Sequence, residues 1–246
     1  MIPRIIAHRG NSHDCHENTM AAFARAVADG ADGIELDLRL TGDRHWVVHH
    51  DTHVLNGGRR RRIADMTMQE AAVVRVGANG DPLPMLIEVL DWAKTIRQTL
   101  VLDIKDTDGA DELIAAVEAA ALPVAPVFSS FRKSVLRAIS RRRPTWKRAL
   151  ILDDPRSAIV RQFYGRAMVR WARRRHLAAL HMQERWVTPS LVARMARAHM
   201  NLAVWTVDDP TRMVLLAALG VHAIITNRPD VARITLGQMA PATEGA

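Results

Sequence analysis

Residues 30–38 read Gly-Ala-Asp-Gly-Ile-Glu-Leu-Asp-Leu. From Gly33 to Leu38 the run suits a β-strand, yet two carboxylates, Glu35 and Asp37, interrupt its apolar residues. Side chains two positions apart on a strand point to the same face. Parallel-barrel strands normally fill such positions with Val, Ile or Leu. Adjacent carboxylates repel each other unless a cation or a proton lies between them. Arginines could satisfy such a pair, but a second acidic strand end, Leu102-Asp103-Ile104-Lys105, favours a metal. Asp103 would complete a three-carboxylate site, and an all-oxygen donor set selects Mg²⁺ or Ca²⁺ over Zn²⁺.

Outward from this strand the chain alternates β-rich and helical runs. Strands are expected at Ile2–Ala7, Gly33–Leu38, Leu100–Ile104, Val124–Phe128, Arg148–Leu152, Leu177–His181, Leu202–Val207 and Ala223–Thr226. Helices are expected at Thr19–Ala28 after a cap-like Asn18, then at Met85–Ile96, Asp111–Ala121, Lys133–Ser140, Pro189–His199 and Pro210–Leu219. Pro189 and Pro210 suit a first helical turn, where a missing N–H costs nothing. Eight such alternations in 246 residues fit a TIM (β/α)8 barrel, which takes about 250 residues. A doubly wound open sheet is the runner-up. Residues 54–84 read as an insertion after the second strand unit, marked by Gly57-Gly58 and Asn79-Gly80. Residues 156–175 are basic and only loosely periodic, and 238–246 form a small polar tail. With no boundary in between, residues 1–246 are expected to form one domain.

Composition narrows the function. The lone Cys15 allows no intrachain disulfide. Neither a signal-peptide pattern nor a run of about 20 apolar residues is present, so a cytoplasmic protein is expected. The formal charge is +8, with arginine clusters at 59–62, 141–143 and 173–175. Without interleaved aromatics these clusters read as solvated surface, so nucleic acid is not an expected partner and membrane-surface contact is expected to be weak at most. His8 follows the first strand and His50 follows the β-like Trp46–Val48, which puts both at the C-terminal rim where barrel enzymes build their sites. Imidazoles titrate near neutral pH and suit the base and acid of phosphodiester cleavage. Arg9 suits a bidentate grip on phosphate, and Lys105 supplies a point charge. His13, His16, His45, His49 and His53 read as loop or surface residues.

These residues resemble the glycerophosphodiester phosphodiesterase family. The motifs are His8-Arg9-Gly10, Glu17-Asn18-Thr19, Gly30 to Asp37 and Val47 to Asp51, with weaker matches at Pro84 to Leu90, Trp205-Thr206-Val207 and Thr226 to Pro229. The resemblance implies a TIM barrel with a small insertion after the second strand. It implies metal ligation by Glu35, Asp37 and Asp103, acid/base roles for His8 and His50, phosphate binding by Arg9 and Lys105, and a substrate wall at Trp205. The implied reaction is metal-dependent hydrolysis of a small glycerophosphodiester to glycerol 3-phosphate and an alcohol. A phospholipase D of the sphingomyelinase D type, acting on lysophospholipids, is the alternative. The chain departs from the family pattern at His16, where proline is usual, at Asp103, often Glu, and in the arginine-rich stretch 56–62.

Overall fold

The computed structural model describes residues 2–56, 58–152 and 158–239. The chain opens with β1 (Arg4–His8), α1 (Met20–Ala28), β2 (Gly33–Leu40) and the short β3 (Trp46–Val48). An excursion follows: hairpin β4 (His53–Asn56) and β5 (Arg59–Arg62), helix α2 (Met68–Ala72), and a ribbon of β6 (Arg75–Val76) with β7 (Asp81–Pro82). Regular alternation resumes with α3 (Leu86–Ala93), β8 (Thr99–Ile104), α4 (Ala110–Ala120), β9 (Val127–Ser130), α5 (Lys133–Arg142) and β10 (Arg148–Leu152). It ends with α6 (Ala158–Arg173), β11 (Ala179–Gln183), α7 (Pro189–Arg197), β12 (Asn201–Trp205), α8 (Pro210–Leu219), β13 (Ala223–Thr226) and α9 (Pro229–Gly237).

Eight of these strands are parallel and close on themselves in the order β1, β2, β8, β9, β10, β11, β12, β13. Closure is made where β13 pairs with β1, Ala223 opposite Arg4 and Thr226 opposite Ala7. The architecture is a TIM barrel. Outward-facing Ile34, Leu36 and Leu38 of β2 pack under α1 and α3 with Phe23, Val89 and Leu90. The opposite half of the shell is a second apolar layer between β10–β13 and α6–α9. The lumen holds a small cluster of Ile6, Val101, Ala203, Ala223 and Ile225. Above that cluster the inward positions turn polar, and there the site is built.

Helix starts follow the sequence closely. Thr19, Thr67, Thr188 and Asp209 accept hydrogen bonds from first-turn N–H groups, and prolines open α7, α8 and α9. The cap of α1 is Thr19 rather than Asn18, whose side chain is spent elsewhere. Strand starts shift at β9 and β11, which begin at Val127 and Ala179, and β12 ends at Trp205. Residues 158–173 are helical, and α9 is a further helix where none was expected. Gly57 and most of the polar tail lie outside the described residues.

The excursion has its own core of Val54, Ile63, Met66, Ala71, Val74, Val76 and Leu83, joined to the barrel through Val47 and Met85. The β-like run Trp46–Val48 is not a barrel staircase strand. It turns back and pairs antiparallel with the upper end of β2, Val48 opposite Leu38 and Trp46 opposite Leu40. His50 therefore reaches the rim from above, on a descending strand, instead of standing at the top of an ascending one.

Candidate active site

The loop after β1 makes one tight turn. Arg9 has φ +58° and Gly10 has φ +83°. A Cβ on Gly10 would lie 2.6 Å from the Ala22 carbonyl carbon, so the loop can press on α1 only with glycine there. That contact aims Arg9 inward. Its Nη1 donates to both oxygens of Glu17 at 2.8 Å, its Nε lies 3.0 Å from Asp37 Oδ2, and its backbone N–H donates to Glu35 Oε2 at 3.1 Å. The Glu17-Asn18-Thr19 motif thus divides its labour. Glu17 holds Arg9 and Thr19 caps α1. Asn18 donates to Asp37 Oδ2 at 2.8 Å while accepting from the Asp37 N–H at 3.1 Å.

Glu35, Asp37 and Asp103 converge at the top of β2 and β8, where Asp37 and Asp103 are register partners. All three are buried, and ligand oxygens from each lie within 4.8 Å of one another. Lys105 Nζ sits 2.7 Å from Asp37 Oδ1 and also pairs with Asp103. Lys105 is thus salt-bridged to two of the carboxylates, an arrangement compatible with a phosphate-binding role. Asp103 Oδ1 is buried without a hydrogen-bond partner.

The electrostatics follow from burial and proximity. Burial, reinforced by the charges of Asp37 and Asp103, lifts Glu35 well above the usual carboxylate range. Burial and the Asp37 charge push Asp103 up to about 6, although Lys105 opposes the shift. Burial would also raise Asp37, but the Lys105 ammonium and the Arg9 guanidinium outweigh it and hold that carboxyl below its ordinary value. Burial, aided by Arg9, lowers His8 and keeps it neutral.

His8 Nδ1 lies 2.7 Å from Asn227 Oδ1. The Asn227 amide nitrogen donates to Asp208 Oδ2 at 2.7 Å, which fixes Oδ1 toward His8. Nδ1–H of His8 is then the donor, and Nε2 is left free for chemistry. His50 repeats the pattern, with Nδ1 at 2.9 Å from Asp51 Oδ1. His8, Arg9, Glu35, Asp37, His50, Asp103, Lys105 and Trp205 all line one cavity of about 100 Å³. Every site residue expected from the sequence is thus brought together. Trp205 meets Phe131 edge-on, with ring centroids 6.0 Å apart, and Phe131 also lies under Lys105 at 5.7 Å.

Sequence reasoning missed Asn18, Asp51, Phe131, His181, Asp208 and Asn227. Asn18, Asp51 and Asn227 lie inside quoted motifs, but Asn18 reads only as a helix cap and the other two carry no assigned role, while Asp208 has no signal of its own. The departure His16 packs its ring against Gly77 of the excursion. His13, His45 and His53 line no part of the cavity, and His49 spends its Nε2 on the His53 carbonyl at 3.1 Å.

Residues 8–231 match the glycerophosphoryl diester phosphodiesterase family. The chain belongs to that family. A glycerophosphodiester phosphodiesterase from Caldanaerobacter subterraneus subsp. tengcongensis is 32% identical over 240 residues, covering 92% of this chain and 94% of the relative. Among solved structures, a glycerophosphodiester phosphodiesterase from Parabacteroides distasonis superposes with a TM-score of 0.84 at 24% identity, over 98% of this chain and 99% of that one. An Oleispira antarctica phosphodiesterase, determined with its product sn-glycerol-3-phosphate, gives a TM-score of 0.85 at 20% identity, over 96% and 97% of the two chains. These structural likenesses establish the barrel of the family for this member. No helix among the described residues is long and apolar enough to cross a membrane.

Proposed function

We propose that this family member hydrolyses small glycerophosphodiesters to glycerol 3-phosphate and an alcohol, using a divalent cation and two histidines. The observation that carries the reading is the convergence of three buried carboxylates, two cations and two imidazoles on one cavity. Glu35, Asp37 and Asp103 fit a hard cation. Their donors are all oxygen, they lie close enough to share one ion, and a buried Asp103 oxygen lacks any partner. Such an ion, Mg²⁺ or Ca²⁺, would supply Lewis-acid stabilisation of the phosphoryl oxygens.

The chain's own groups do the rest. Arg9 is held rigid by Glu17 and Asp37 and presents positive charge to a non-bridging phosphate oxygen. Lys105, now shared between Asp37 and Asp103, supplies a second positive charge on the same side. His8 and His50 each anchor Nδ1 on an oxygen acceptor and keep Nε2 available. One imidazole takes the proton of the nucleophile and the other delivers a proton to the leaving alkoxide. Trp205 and Phe131 form an aromatic side of the cavity beside Lys105, where the organic part of the substrate is accommodated.

The test is release of glycerol 3-phosphate from glycerophosphocholine and glycerophosphoethanolamine with Mg²⁺, Ca²⁺ or EDTA. The variant His50→Ala and the substrate lysophosphatidylcholine serve as controls. Release that needs metal and is lost in the variant supports the reading. Cleavage of lysophosphatidylcholine alone would replace it with a lysophospholipase D activity.

A further inference from the structure

One buried polar group in the cavity has no part in this chemistry. His181 lies in β11, is 5% exposed, and faces the lumen. It forms the floor between the site cavity and a second cavity of about 320 Å³ toward the other end of the barrel. Its register partners are Ile151 and Ala203, neither of which offers its side chain a polar atom. No described residue hydrogen-bonds its ring. Burial pushes its pKa down to about 4, so at neutral pH the ring carries one N–H donor and one acceptor nitrogen.

A buried imidazole without a partner is costly to keep. Nothing in the packing requires one here, since a leucine would suit the apolar neighbours. The rest of this wall offers less. The Ser129 hydroxyl is directed at the Leu102 carbonyl, Ile151 and Ile225 are apolar, and the Trp205 indole, also buried without a partner, supplies a donor but no acceptor. Arg9, Lys105 and the carboxylates hold the phosphate on the opposite wall. Within the glycerol half of the substrate the terminal hydroxyl is the group farthest from phosphorus, so it is the hydroxyl placed to extend across the cavity.

We infer that His181 hydrogen-bonds the terminal glycerol hydroxyl and is a specificity-determining residue of this site. The inference rests on the proposed glycerophosphodiesterase activity. A pocket that spends a buried polar group on a substrate hydroxyl penalises an analogue lacking that hydroxyl, because the group is then left unpaired.

The experiment pairs glycerophosphocholine with propane-1,2-diol phosphocholine, which lacks the terminal hydroxyl, in the wild type, His181→Leu and His181→Gln. The wild type should favour the full substrate by about tenfold or more in kcat/KM. His181→Leu should erase that preference by raising KM for glycerophosphocholine, with the analogue's kcat/KM kept within about twofold. His181→Gln, which retains a donor and an acceptor, should restore part of the preference. Calorimetric affinities for glycerol 3-phosphate and propane-1,2-diol 1-phosphate should show the same pattern without turnover. A preference that survives in His181→Leu, or an equal loss on both substrates, overturns the inference and leaves the activity standing. A wild type that cleaves neither diester overturns the proposed activity and the inference with it.

Discussion

The cavity has two unlike walls. Where β1, β2 and β8 meet, charged groups crowd together: ion pairs join Arg9, Asp37, Asp103 and Lys105, and Glu35 accepts from the Arg9 backbone N–H. Around the rest of the lumen, β9 to β13 and the loop after β9 present Ser129, Phe131, Ile151, His181, Trp205 and Ile225, none of them charged at neutral pH. The first wall is held in place largely by its own electrostatics, with Arg9 fixed by Glu17 and Asp37 and Lys105 by Asp37 and Asp103. A divalent ion would add two positive charges there, which favours an anionic phosphodiester. The second wall is held by packing and is free to discriminate shape. Under the proposed function chemistry belongs to the one and selection to the other, so substitutions on each should produce different kinetic signatures.

The largest expected effect lies on the charged wall. His50→Ala and His8→Ala should each lower kcat by about 10²–10⁴-fold with far-UV circular dichroism unchanged. A loss confined to KM in either variant would break the division between walls. Asn227→Ala and Asn18→Ala come next, because they orient His8 and Asp37 without touching substrate. Each should cost about 10–100-fold in activity or metal affinity. For Asn18→Ala the metal affinity, measured by titration calorimetry, should move together with kcat.

Metal binding should depend on pH in a direction set by the raised carboxyls. Protonated Glu35 and Asp103 cannot serve as anionic ligands, so binding must release protons. Affinity for Mg²⁺ or Ca²⁺ should therefore strengthen as pH rises from about 5 to 7, through the Asp103 value of about 6. Calorimetry in buffers of different ionisation enthalpy would count the protons, and zero release would contradict the electrostatics described for this wall. The smallest effect belongs to the neutral wall. Phe131→Ala removes a partly exposed ring and should raise KM severalfold with little change in kcat.

The fold was legible because a parallel barrel writes its strands as buried apolar runs and its helices as capped amphipathic ones. Pro189 and Pro210 read directly as helix openings, whereas the α1 cap reads one residue early, at Asn18 instead of Thr19. The charged wall was legible for the opposite reason, since Glu35, Asp37 and Asp103 are out of place in such strands. What stayed hidden depends on contacts between distant residues. Asn227 supports His8 across 219 positions, and Asp208 supports Asn227 from a loop that looks like a helix cap. His181 sits in an ordinary strand, Ala179–Gln183, and only the cavity on either side of it makes it notable. The antiparallel turn of β3 was equally invisible, since a three-residue apolar run does not state its direction.

That turn has a consequence for how such a barrel can diversify. Between its descending strand and α3 lies a segment with a separate small core, attached to the barrel through Val47 and Met85. His50 stands at the root of that segment, one step before it departs. A lineage can lengthen, shorten or recharge the excursion, as the four successive arginines of β5 illustrate, and the histidine at its base stays in register with β2. The barrel thereby keeps an exchangeable module beside a fixed site, with the boundary between them drawn a few residues beyond the proposed catalytic His50.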